Sequence, residues 1–199
     1  MSLKRIGKVE RKTKETRISA VVELDNVSPL AGRISTSVPF IDHMLTLMSV
    51  HGKIGLTIKA RGDTDVDNHH IVEDIGIVMG QAFKLALGDK RGITRYGTAV
   101  VPMDEALGMV CLDISNRPFI VWDVEFKKNK AAGFDFDLVE EYFRAFAVNS
   151  GITLHAKLFY GKNNHHMSEA LFKALGRALN TAVSVDPKIK GIPSTKGKL

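Results

Sequence analysis

From Thr16 to Leu24 apolar and polar residues alternate, with Ile18, Ala20, Val22 and Leu24 on one side. That pattern predicts a strand with one buried face. A helix is predicted near 40–51, stopped by Gly52, and a strand near 54–60. A long helix near 68–87 follows, its apolar face formed by Ile71, Ile75, Val78, Met79 and Ala82. The order then returns: a helix near 137–150 stopped by Gly151, a strand near 152–159, and a helix near 165–184 with Leu171, Ala174, Leu175 and Ala178 on its apolar face. Asn68 and Asn164 stand where an N-cap belongs.

The two runs are copies. Phe40 to Lys59 aligns with Leu138 to Lys157 at an offset of 98, and the offset falls to 96 at the next motif because the loop from Arg61 to Asn68 is two residues longer. Each half reads ββαβα, which predicts an α+β fold with helices packed on or between mixed β-sheets. The halves are residues 1–92 and 93–199, the second ending in a tail, and together they form one compact two-repeat domain.

Each copy carries the same chemistry, Asn68-His69-His70-Ile71-Val72-Glu73 and Asn164-His165-His166-Met167-Ser168-Glu169, which takes up four of the seven histidines. On a helix, positions i and i+4 share a face, so His69 pairs with Glu73 and His165 with Glu169 to chelate one ion each. The adjacent histidine is rotated by about 100°. His70 and His166 therefore serve a different ion, and sites shared between motifs follow, within one chain or across subunits. The repeat adds His43, which aligns with Glu141. Eight residues (His43, His69, His70, Glu73, Glu141, His165, His166, Glu169) make four ligands for each of two divalent ions.

Composition narrows the setting. At 44% hydrophobic and 25% charged the chain reads as a soluble globular protein. A lone cysteine, Cys111 in an apolar stretch, is expected to be buried and fits a reducing, cytoplasmic compartment. Neither a signal peptide nor a membrane span is expected. The net charge of +6 is concentrated in residues 1–17, with seven Lys or Arg, and residues 188–199, with four Lys. Without aromatic interleaving these tails predict a site for a small phosphate ester and not nucleic acid. His51, before Gly52, suits a helix C-terminus.

The chain resembles the imidazoleglycerol-phosphate dehydratase family. The likeness rests on Lys14-Glu15-Thr16, Pro39 to Leu45 with His51-Gly52, Gly62-Asp63-Thr64 with Asp67 to Asp74, Gly92 to Gly97, Pro102-Met103-Asp104-Glu105-Ala106-Leu107, Asp113 to Pro118, Asn164 to Glu169, and Pro193 to Gly197. It implies a duplicated fold like the second domain of ribosomal protein S5, a 24-subunit homo-oligomer, and two manganese ions per site with ligands from different subunits. One ion is implied on His43, His70, His165 and Glu169; the other on His69, Glu73, the Glu141 position and His166. The family usually has histidine where Glu141 stands, and glutamate is a competent oxygen ligand for manganese.

The implied reaction converts imidazole glycerol phosphate to imidazole acetol phosphate in histidine biosynthesis. The proton lost has no carbonyl beside it, so the imidazole ring must help expel the neighbouring hydroxyl. Glu15 and Glu73 are the expected catalytic carboxylates, and His51 is an implied substrate contact, as are the metal-binding histidines His43, His69, His70 and His165. Arg95, Arg117, Ser194, Thr195 and Lys196 suit the phosphate, with Lys173 able either to join them or to pair with Glu169. A two-metal phosphoester hydrolase and a non-catalytic, metal-stapled assembly protein are the competing readings.

Overall fold

Alternation in the sequence becomes pleat in the structure. The computed structural model describes residues 5–25, 34–62, 64–65, 67–127 and 133–199; part of the Gly62-Asp63-Thr64 motif therefore lies outside the described residues. Strands β1 (Ile6–Lys12) and β2 (Thr16–Glu23) form an antiparallel pair, and β2 turns Ile18, Ala20 and Val22 inward. A two-residue β3 (Ile34–Ser35), helix α1 (Pro39–Gly52), β4 (Gly55–Gly62) and helix α2 (His69–Leu87) complete the first half. The second half repeats the order with β5 (Tyr96–Met103), β6 (Ala106–Asp113), β7 (Phe119–Asp123), α3 (Asp137–Ser150), β8 (Thr153–Tyr160) and α4 (Asn164–Val183).

The sheets are duplicates too, ordered β1-β2-β4-β3 and β5-β6-β8-β7. Both are mixed, because β3 runs parallel to β4 and β7 parallel to β8. The duplicated α+β plan thus holds, with one strand more than expected in each half, β3 and β7, making four. β3 is too short to show a period, and β7 has no fully buried position, so neither announces itself by alternation.

The halves meet helix against helix. α1 packs on α4 and α2 on α3, with the sheets on the outside. Every residue of the predicted α2 face (Ile71, Ile75, Val78, Met79, Ala82) is buried, as are Leu171, Ala174, Leu175 and Ala178 on α4. The α1–α4 contact is tight because it is glycine on glycine: a Cβ on Gly52 would lie 2.8 Å from the Gly176 carbonyl oxygen. This gives Gly52 a different task from the one its position suggested. α1 runs through it, and Lys53 takes the left-handed conformation (φ 50°) that ends the helix. Gly151 does end α3 in that conformation, at φ 74°.

Two other expectations change. The α4 cap is Asn163, whose side chain accepts the His165 N–H; Asn164 is the first helical residue and is buried, its amide bonded to the backbone of Lys127. At α2, Asn68 occupies the cap position without a side-chain bond, and Asp67 accepts the His69 N–H instead. Cys111 is half-buried on the outer side of β6, where its sulfur accepts from Thr98 at 3.1 Å. Among the described residues no helix is long and apolar enough to cross a membrane.

Candidate active site

The α1–α4 contact brings His43, His165 and Glu169 together, with one potential ligand atom from each inside 4.8 Å of the others. Among the described residues no other set of three His, Cys, Asp or Glu does so. Glu169 is the hub. Its Oε1 lies 3.0 Å from His165 Nε2 and 3.3 Å from His43 Nε2, while Oε2 takes a 2.6 Å bond from Lys173. Burial pushes the Glu169 carboxyl up, but Lys173 and the two histidines more than offset it and hold it at about 2. Two imidazoles and a carboxylate form a donor set that fits a borderline divalent cation.

The paired histidines diverge as helix geometry requires. The rings of His165 and His166 are perpendicular, with centroids 6.3 Å apart, and those of His69 and His70 are perpendicular at 6.2 Å. His166 leaves the cluster for the β5–β6 hairpin, where Nδ1 donates to Glu105 Oε2 at 2.7 Å and Nε2 stands 3.8 Å from Asp104. His70 lies beside Glu15, Nδ1 to Oε2 3.7 Å, with both side chains about half exposed. His70 therefore does not join His43, His165 and Glu169 within one chain, and His69, Glu73 and Glu141 form no second cluster. The physical reason is placement. His69 and His70 are exposed on the first turn of α2, and a single chain offers them to solvent and not to α1 or α4.

The cationic residues gather elsewhere. Arg95, Arg117, Ser194, Thr195 and Lys196 line one cleft of about 870 Å³ together with Tyr96, Ser115 and Asn116. Arg95 shapes it. Its guanidinium forks onto Asp113 at 2.7 and 3.0 Å and donates to the Pro193 carbonyl at 2.8 Å, so it pins the tail that carries Ser194 to Lys196. Arg117, 70% exposed and 3.9 Å from Asp113, lies in the loop before β7 and is the freer cation. Lys173 is not among the lining residues: its bond to Glu169 and a 3.1 Å contact with Met103 Sδ keep it at the histidine cluster. His51 lines a third recess with Lys53 and Arg177, and burial, reinforced by Lys173 and Arg177, lowers its pKa.

These positions match a known family. The sequence profile of imidazoleglycerol-phosphate dehydratase covers residues 36–179. The chain belongs to the imidazoleglycerol-phosphate dehydratase family. A relative of that name from Clostridium botulinum (strain Kyoto / Type A2) is 58% identical over 194 residues, 98% of both chains. One from Streptococcus mutans is 55% identical over 195 residues, 98% of this chain and all of the relative. A solved dehydratase structure from Staphylococcus aureus superposes with a TM-score of 0.82 at 41% identity, covering 91% of this chain and 99% of that one. A structure from Pyrococcus furiosus, in complex with (S)-C348, gives 0.82 at 37%, covering 96% and 100%.

Asp113 and Glu105 are the site residues that sequence reasoning passed over. Both lie inside family motifs, but their role is visible only once the strand ends are seen to face the tail and α4. Arg95→Ala is therefore expected to do two things. It should raise KM for a phosphorylated substrate, and it should cost about 2 kcal/mol of stability by orphaning the Asp113 carboxylate. Lys196→Ala should raise KM alone. Steady-state kinetics with urea melts separate the two, and unchanged kinetics in both variants would refute a phosphate cleft.

Proposed function

We infer that the chain is a cytoplasmic hydro-lyase of histidine biosynthesis, removing water from imidazole glycerol phosphate to give imidazole acetol phosphate in a homo-oligomer of 24 copies, with two Mn2+ or similar divalent ions per site. The observation that carries the reading is identity of 58% with a dehydratase along 98% of the chain. The gathering of His43, His165 and Glu169 supports metal dependence. Exposed apolar side chains, among them Val100, Phe119, Val121, Phe159 and Tyr160, support assembly.

His43, His70, His165 and Glu169 would hold one ion, and His69, Glu73, Glu141 and His166 the other. Bound there, the ions supply Lewis acidity and a template for the imidazole ring. The cleft of Arg95, Arg117, Ser194, Thr195 and Lys196 holds the phosphate with forked and point-charge donors. Glu15 and Glu73 handle the protons. One carboxylate takes the proton from the carbon bearing the retained hydroxyl, the hydroxyl next to the ring departs as water with a proton from the acid, and the resulting enol becomes the ketone. His51, on α1, is a substrate contact in its neutral form, and Lys173, on α4, faces the same cluster through its pair with Glu169.

A single assay of imidazole glycerol phosphate, following enolate absorbance and free phosphate with and without Mn2+, discriminates the readings. A ketone that retains its phosphate supports the dehydratase. Released phosphate would mean a hydrolase, and no turnover a scaffold.

A further inference from the structure

We propose that Glu105 is the positioning residue for His166, and that it is the repeat counterpart of Glu15, the two having divided one ancestral place between two tasks. The inference rests on the reading of His166 as a metal ligand.

The correspondence comes from the sheets. β1 pairs with β2 so that Lys12 faces Arg17, and β5 pairs with β6 so that Pro102 faces Leu107. The two hairpins are thus in register at an offset of 90, which puts Glu15 and Glu105 at the same place in their turns. Each carboxylate then reaches the second histidine of its own half, and each reaches Nδ1: Glu15 to His70 at 3.7 Å and Glu105 to His166 at 2.7 Å. Their surroundings differ. Glu15 is 56% exposed and stands beyond hydrogen-bond distance of its histidine. Glu105 is locked. Oε1 accepts the N–H groups of Lys162 (3.0 Å) and Asn163 (2.8 Å) while Oε2 accepts the imidazole N–H. With Oε1 already taken by two backbone N–H groups and a carboxylate able only to accept, Nδ1 must be the donor to Oε2. The lone pair of His166 is thereby fixed on Nε2. A carboxylate that settles the tautomer and the ring plane of a ligating histidine raises its basicity and its affinity for metal. Glu15 has no such partners and keeps its proton-handling freedom.

The test is Mn2+ titration of the assembled protein, read by ion stoichiometry and affinity, for wild type, Glu105→Gln, Glu105→Ala, Glu15→Gln and His166→Ala, with apoprotein melts alongside. Glu105→Gln keeps an acceptor oxygen but loses the charge; it should weaken one of the two ions about 10-fold with the apoprotein melt unchanged, and Glu105→Ala should weaken it up to about 100-fold. Glu15→Gln should lower kcat and leave both affinities alone. If His166→Ala loses an ion while both Glu105 variants bind as wild type, Glu105 merely anchors the loop and the proposal is overturned, with the ligand reading intact. If His166→Ala itself binds both ions normally, the ligand reading falls and the proposal with it.

Discussion

Glu169→Ala is expected to lower kcat/KM by more than about 100-fold, beyond what loss of an outer supporting partner costs, and to release one of the two bound ions. No other described residue touches so much of the site: its carboxylate meets His43, His165 and Lys173 at once. Truncation also strands the Lys173 ammonium, whose side chain is only 13% exposed, at a cost of about 3 kcal/mol to the apoprotein. The acid side of the stability curve gives an independent reading. The folded carboxyl sits at about 2, below its ordinary value of 4.5. Its contribution is therefore fully present above pH 4.5 and is lost as pH falls through about 2. Urea melts of metal-free wild type and Glu169→Gln should converge as pH drops through that window. A constant gap, or an alanine variant with full activity, would remove Glu169 from the centre of the account.

Gly176→Ala should be as damaging without touching any ligand. The added Cβ would lie 2.3 Å from the Met48 carbonyl oxygen and 2.9 Å from the Gly52 nitrogen. Both are backbone atoms, which cannot rotate aside, so α1 and α4 must part. Ordinary overpacking costs about 1–3 kcal/mol, and this site should reach or exceed the upper end. α1 carries His43, and α4 carries His165 and Glu169. Parting the helices should therefore weaken metal binding together with the melt. A variant that melts like wild type, or one that is destabilised yet binds metal undiminished, would show that the glycine contact does not set the cluster.

The sequence made the repeat legible because its helices alternate with strands at a constant offset and the histidine pairs mark the same turn in each copy. The α2 and α4 faces could be read residue by residue for the same reason. What it could not show was partner choice between halves. That α1 meets α4, and so which half-motifs share a cluster, depends on glycine contacts such as Gly52 on Gly176 that carry no periodic signal. The short β3 and the half-exposed β7 were hidden because pairing, not pattern, makes them strands. Within the site, Arg95, Arg117, Ser194, Thr195 and Lys196 have side chains that suit phosphate, but it was the family resemblance that singled them out, since Arg95 and Arg117 alone read as surface ion pairs; the five share a cleft. Lys173 fits its simpler reading, an i,i+4 pair with Glu169. Asp113 and Glu105 stayed silent, since an acid at a strand end becomes informative only when its cationic or imidazole partner is seen across the fold.

The central claim is that one chain holds a partial metal site, His43, His165 and Glu169, and that His70 of another copy completes it. Subunit mixing tests this most directly. His70→Ala and His165→Ala are each expected to be inactive alone. Dissociated, combined in equal amounts and reassembled with Mn2+, they should regain about a quarter of wild-type activity, the share of sites in which random assembly unites an intact cluster with an intact His70. No recovery, from a mixture that demonstrably reassembles, would contradict a site shared between copies.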